Sequence, residues 1–161
     1  MKLGLAIEEL HRSENHLARV LLAVSDRHKA DHEVFHVARD IARWSQRHVT
    51  ELARIGTDFG VDLEPEPAGE PGILERIQQT TADLLGRRPE PGLLLLADLR
   101  HVHREAAGVS LDWELLAQAA QGARKRELLA LAERCHPDTL RQLRWANATL
   151  KVSATQVLVS P

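Results

Sequence analysis

The chain has 161 residues, enough for one domain with a hydrophobic core, and we expect a single domain over residues 1–161. Its net charge of -2 has no strong sign, which argues against nucleic acid or an anionic membrane as a partner. Its single cysteine excludes an internal disulfide, and the lack of a long apolar run or a leader predicts a cytoplasmic protein without a membrane span.

The first predicted helix covers residues 3 to 24 and carries one acid in the middle of an apolar stripe. The apolar residues recur every three or four positions, which places them along one side of a helix: Leu3, Ile7, Leu10, Leu17, Leu21 and Val24. Glu14 takes the central position of that stripe. An unpaired buried carboxylate is costly, so we expect Glu14 to be paired, hydrogen-bonded, neutral or bound to a metal.

A second long helix should follow after a short turn and complete an antiparallel hairpin. Asp31 is suited to cap its start, and Gly56 is expected to end it. His48 lies at the centre of its inner stripe, which contains Val34, Val37, Ile41, Trp44, His48, Leu52 and Ile55. Residues 57–72 are rich in glycine, proline and acids, a composition that predicts an exposed linker.

Two shorter helices are predicted in the crossover, over about 73–85 and 91–107. Proline residues separate them, and Gly108 is expected to end the second one. A further long helix should then begin at Ser110 or Asp112.

The end of the chain predicts a second helical hairpin with polar residues on its inner face. Pro137 favours the first position of a helix, so the turn is expected at Cys135 and His136. With that turn, Arg124 on one helix would lie level with Asn147 on the other, and the two side chains would touch. Glu127 lies beside Arg124 in the sequence.

Two helical hairpins joined by a long crossover predict an all-α four-helix bundle with one or two extra helices in the crossover. In this arrangement the chain resembles the ferritin-like superfamily. The residues that carry the resemblance are Glu14 on helix one and His48 with Glu51, three positions later, on helix two. The resemblance implies a mid-bundle metal site for iron or manganese, with Glu14, His48 and Glu51 as ligands.

Di-iron members of this superfamily present a Glu from each of two helices and a Glu-x-x-His motif from each of the other two. The chain spells that motif twice, at Glu33 to His36 and at Glu133 to His136. At 100° per residue, His36 points away from the inner stripe, and the second motif falls at the predicted junction before Pro137. The di-iron pattern is therefore incomplete.

Two hypotheses follow for the polar residues on the inner stripes. In the first, the protein binds iron or manganese and, if it is an enzyme, is a metal-dependent oxidoreductase. In the second, which we prefer, the inward residues form a structural buried polar layer of Glu14, His48, Arg124, Glu127 and Asn147, because buried charges are usually paired. The protein would then be a non-catalytic binding or assembly module, with self-association into a homo-oligomer through an apolar face such as that of Trp145.

The chain has nine histidines, which prompts a search for further metal ligands. His101 and Glu105 share one side of a helix and are expected to form a surface pair. Asp98 and His101 are the better placed to reach the bundle centre, whereas His11 and His16 lie off the inner stripe and should be exposed. Cys135 is interpreted as a packed residue.

Overall fold

The computed structural model describes residues 2–69 and 90–160. These residues form four α-helices and one short 3-10 helix: α1 (Leu3–Arg27), α2 (His32–Gly56), the 3-10 helix (Thr57–Phe59), α3 (Pro91–Gly122) and α4 (Arg126–Val159). The described part of the chain contains no strand, so the all-α prediction is confirmed. The helix predicted over 73–85 lies outside the described residues.

The first hairpin follows the prediction closely. The Asp31 side chain accepts a hydrogen bond from the backbone N–H of Val34 at 3.1 Å and caps α2 as expected. Ser25 donates to the carbonyl of Phe35 at 2.7 Å and ties the two helices together beside the turn. α2 ends at Gly56, the residue predicted to stop it.

α3 does not stop at Gly108, contrary to the prediction of two separate helices. One glycine inside a helix costs only about 1 kcal/mol relative to alanine. The neighbouring side chains Ala106 and Val109 are buried, and their packing keeps the helix continuous through this position.

The turn of the second hairpin lies at Ala123–Lys125 rather than at Cys135 and His136. Arg124 adopts a left-handed backbone with φ 56°, and the N–H of Lys125 donates to the carbonyl of Ala120 at 2.8 Å. α4 then continues through Pro137. A proline inside a helix removes one backbone hydrogen bond, and the apolar packing of α4 outweighs that loss.

The four helices pack as two antiparallel hairpins lying side by side. α1 runs antiparallel to α3, because Glu14 lies against Trp113 and His28 lies against Asp98. α2 runs antiparallel to α4, because His48 reaches Asp138 and the earlier Ser45 accepts from the later Gln142. α2 and α3 are therefore parallel, and the chain between them must travel the length of the bundle.

The first part of this crossover lies along α1 and α2. His11 Nε2 is 2.8 Å from the carbonyl oxygen of Glu64, and the N–H of Ala68 donates to Asn15 Oδ1 at 2.8 Å. Val61 and Leu63 pack against the core, while the acidic side chains of the segment are exposed. The predicted exposed linker is thus anchored at several points.

The core lies between the four helices and consists mainly of leucine, isoleucine and valine. None of the helices in residues 2–69 and 90–160 combines the length and apolarity needed to cross a membrane.

Candidate functional site

A polar cluster lies at the middle of the bundle and is centred on Glu14. The Glu14 side chain is completely buried. Its Oε1 accepts a hydrogen bond from His48 Nδ1 at 2.7 Å and another from the indole Nε1 of Trp113 at 2.8 Å. The inner stripes of α1, α2 and α3 thus each contribute one side chain to the cluster.

His48 connects Glu14 to the fourth helix. Its Nε2 lies 3.1 Å from Asp138 Oδ2, and Asp138 also accepts a hydrogen bond from Arg141 at 2.8 Å. Burial lowers the pKa of His48, but hydrogen bonds to the Cys135 and Glu14 side chains outweigh this and raise the pKa to about 10. With a carboxylate oxygen against each ring nitrogen, the geometry also favours the imidazolium form, which donates from both nitrogens.

The second carboxylate oxygen of Glu14, Oε2, is one of three buried side-chain oxygens that lack a hydrogen-bond partner among the described residues, with Thr139 Oγ1 and Gln142 Oε1. Gln142 lies nearby on α4 and donates to the carbonyl of Ile41 and to Ser45 Oγ, both at 2.9 Å. The side-chain N–H donors of His48, Trp113 and Gln142 at the bundle centre therefore all have hydrogen-bond acceptors.

Three members of the predicted polar layer do not lie in it. Arg124, Glu127 and Asn147 are all exposed. The reason is the position of the turn: with Arg124 in the turn itself, the α4 residue that lies level with His48 is Asp138 rather than Asn147. The expected contact between Arg124 and Asn147 was wrong, whereas the expected contact between Glu14 and His48 is present.

Glu51 is not brought to Glu14. Its carboxylate is partly exposed and lies 3.2 Å from Arg54 and 3.8 Å from Arg134. Glu51 is thus paired with two arginines at the surface of the bundle.

The mid-bundle residues do not fit the di-iron arrangement that the resemblance implies. On α3 the position facing Glu14 is Trp113, whose indole N–H is a donor only and cannot be a ligand. Both nitrogens of His48 are already engaged, and a protonated imidazole has no lone pair for a metal. The two Glu-x-x-His segments are also elsewhere: His36 is exposed, and His136 Nε2 contacts Ser110 Oγ at 2.8 Å.

A second buried charge lies where α3 begins. Asp98 accepts two hydrogen bonds from Arg27, at 2.8 and 2.9 Å, and its Oδ2 is 2.7 Å from His28 Nε2. Burial raises the pKa of Asp98, but the hydrogen bonds from His28 and Arg27 dominate, and the net pKa is lowered. Asp98 thus fastens the end of α1 to α3, and the prediction that His101 joins it near the bundle centre was wrong, because His101 is exposed.

Two histidines of α1 differ in their surroundings. His16 is exposed, as predicted, and its Nε2 lies 3.4 Å from Glu105 Oε2 on α3. His11 is buried, contrary to the prediction, because the crossover segment at Glu64 covers it. The His101–Glu105 pair was expected from its spacing, but the contribution of His16 depends on how α1 packs against α3.

Sequence reasoning missed Trp113 and Asp138 as members of the central cluster. The signal for Trp113 is chemical: a buried indole N–H usually has a hydrogen-bond partner and so indicates a polar neighbour. Asp138 follows Pro137 and was placed in the first turn of a helix that does not start there. Cys135 is buried, as expected, and lies beside His48.

Comparisons of the chain with protein-family models, with curated proteins and with solved structures gave no match.

Proposed function

We propose that this protein is a non-catalytic helical-bundle module of ferritin-like topology that acts through binding or assembly. In this proposal the cluster of Glu14, His48, Trp113 and Asp138 sets the alignment of the four helices. The observation that carries the proposal is that Glu14 Oε1 receives donors from two other helices at 2.7 and 2.8 Å.

The cluster has the properties expected of a structural element. A buried carboxylate paired with an imidazolium is satisfied only when α1, α2 and α3 have one particular axial alignment, since a slip of one turn, about 5 Å, would break both bonds. Buried polar groups of this kind fix register in some helical assemblies.

The alternative function is that of an iron- or manganese-binding protein. The buried Oε2 of Glu14, which has no partner among the described residues, is the observation that favours it. Against it stand Trp113 at the α3 position and the occupied nitrogens of His48.

Anaerobic loading with ferrous iron, followed by elemental analysis, separates the two functions. We expect wild type and Glu14→Gln to retain the same amount of iron per chain. Any iron bound through Glu14 itself should be well below one ion per chain. A stoichiometric iron content in wild type that is lost in Glu14→Gln would contradict the proposal. Circular dichroism of the variant checks that its helices are intact.

The assembly part of the proposal rests on exposed apolar residues, with a second copy of the chain as the partner. Leu111 and Leu115 lie one turn apart on α3 and are 60% and 68% exposed. Exposed apolar patches often mark contact surfaces, and in a two-fold dimer the same patch serves both copies. The face of Trp145 was expected to have this role, but Trp145 is half-buried and packs against the core.

Sedimentation equilibrium tests this surface. Leu115→Glu should shift the protein toward the monomer by at least about tenfold in dissociation constant, which corresponds to roughly 1.4 kcal/mol. Gln121→Glu adds the same charge at another exposed position of α3 and should have no effect. If wild type is a monomer at all concentrations, self-association is not the function of this surface.

A further inference from the structure

A cluster of potential metal ligands lies on the outside of the bundle. It consists of His16 on α1 and of His101 and Glu105 on α3. Its two histidines are exposed, whereas Glu14 and His48 of the central cluster are buried. One ligand atom from each residue lies within 4.8 Å of the other two. The shortest approaches are 3.4 Å from His16 Nε2 to Glu105 Oε2 and 3.8 Å from His101 Nδ1 to Glu105 Oε1.

These separations are close to those of ligands around a small divalent ion. With bonds of about 2.0–2.1 Å in a tetrahedron, neighbouring ligand atoms lie about 3.3–3.4 Å apart. The two distances to Glu105 exceed this by at most a few tenths of an ångström, and all three ligand atoms lie within 4.8 Å of one another. Rotation of the side chains can bring them closer, since His16 and His101 are 56% and 50% exposed. The backbone therefore need not move.

The backbone positions are held by side-chain hydrogen bonds between α1 and α3 on both sides of the cluster. Toward one end of the bundle, Trp113 of α3 donates to Glu14 of α1. Toward the other end, Asp98 of α3 binds Arg27 of α1. The distance and alignment between His16 and the His101–Glu105 pair are thus set by the fold, which lowers the entropic cost of collecting the ligands.

We propose that His16, His101 and Glu105 form a binding site for a divalent transition-metal ion of the zinc class. Two imidazoles and one carboxylate are a donor set that zinc uses in sites that keep an open coordination position. Here His101 and Glu105 supply one helical face at a spacing of four residues, and His16 closes the site from the adjacent helix.

A groove between α1 and α3 lies beside His16 and Glu105, and Arg12 is also part of its lining. The groove has a volume of about 350 Å³, and its lining includes Ser13 and Asp112 beside His16 and Glu105. A fourth ligand, a water molecule or a small anionic group, would be bound from this groove. The site therefore adds a metal-dependent surface function to the bundle, independent of the Glu14 cluster.

Isothermal titration of the chelator-treated 161-residue protein with zinc chloride tests the proposal. His32 and His36, which lie one turn apart on α2 with stacked rings, form a competing pair, so the titrations are made in a His36→Ala background. We expect one zinc ion per chain, and a loss of affinity of at least about tenfold in each of His16→Ala and His101→Ala.

The matched control is His103→Ala, which removes a histidine from the same helix but outside the cluster, and which should leave the affinity unchanged. Cobalt substitution gives a second readout, with intense visible bands expected for a tetrahedral site and their loss in His101→Ala. Equal affinity in the parent, His16→Ala and His101→Ala proteins would overturn the proposal.

Glu14→Gln should bind zinc as well as the parent does. Binding lost in Glu14→Gln but kept in His101→Ala would place the metal at mid-bundle and refute both this site and the structural role of Glu14. Failure of zinc to bind at all would overturn the surface site alone.

Discussion

At the scale of single residues, Glu14 and His48 show why a charged pair can be stable in a core of leucines. The carboxylate would be costly to bury alone, and the imidazolium equally so. Each neutralises the other across 2.7 Å, and the indole of Trp113 supplies a further donor to the same oxygen. The pair is stable because the helices hold the three side chains in positions from which these hydrogen bonds can form.

Replacement of Glu14 by Gln should reveal this pairing in the titration of His48. Without the carboxylate, burial counts for more, and we expect the pKa of His48 to fall from about 10 by more than about one unit. The free energy of unfolding should fall by about 3 kcal/mol, as for other broken buried pairs. NMR titration of the imidazole signals and urea unfolding measure the two effects.

The control for this variant is Glu114→Gln, which removes an exposed carboxylate from α3. It should change neither the pKa of His48 nor the stability by more than about 0.5 kcal/mol. An unchanged His48 titration in Glu14→Gln would mean that Glu14 is not the partner of His48 in solution.

At the scale of helices, packing decides where each one begins and ends. Gly108 and Pro137 are both residues that interrupt isolated helices, yet both lie inside long ones here. Their cost is local and limited to a few kcal/mol. The apolar side chains on either side of each residue are buried in the same core, and their burial favours a continuous helix.

Replacing Gly108 of α3 or Gly4 of α1 by alanine should change the free energy of unfolding in opposite directions. A Cβ at Gly108 meets no atom within 4 Å, so Gly108→Ala should stabilise the fold by about 0.5–1 kcal/mol through helix propensity. A Cβ at Gly4 would lie 2.9 Å from the carbonyl oxygen of Phe59, so Gly4→Ala should destabilise the fold by displacing the start of the crossover. Urea unfolding of both variants measures the difference, and a destabilised Gly108→Ala would contradict the open environment of that residue.

At the scale of the whole molecule, two buried ion pairs make stability depend on pH in opposite directions. His48 has a raised pKa, so the folded state retains a proton that the unfolded state has released between about pH 6.5 and 10. Asp98 has a lowered pKa, so its contribution is present above the ordinary value of 3.8 and is lost as the pH falls through the folded-state pKa. Stability should be greatest between these two windows.

Urea unfolding across the pH range measures this profile. On the alkaline side the free energy of unfolding should fall with a limiting slope of about 1.4 kcal/mol per pH unit from His48. His48→Gln should flatten that side of the profile, and Asp98→Asn should flatten the acid side. If both variants kept the slopes of the parent, other groups would be responsible for the pH dependence.

Much of the first hairpin could be predicted from the sequence, because its signals are local. The stripes of α1 and α2, the Asp31 cap and the stop at Gly56 depend on residues close together in the chain, and they placed Glu14 and His48 on facing sides of two helices. The second hairpin was less predictable. The residues that favour a turn, Gly108 and Pro137, are inside helices, and the actual turn at Arg124 lacks glycine and proline.

The sequence by itself determined an all-α chain, the two long helices of the first hairpin and the burial of one acid and one histidine between them. Only the tertiary structure decided which partners complete the cluster, because Trp113 reaches Glu14 and Asp138 reaches His48 through the register of α3 and α4. The same is true of His16, which meets His101 and Glu105 across two helices. Periodicity specifies which side of a helix faces inward, but the axial level at which two helices meet depends on where the chain turns.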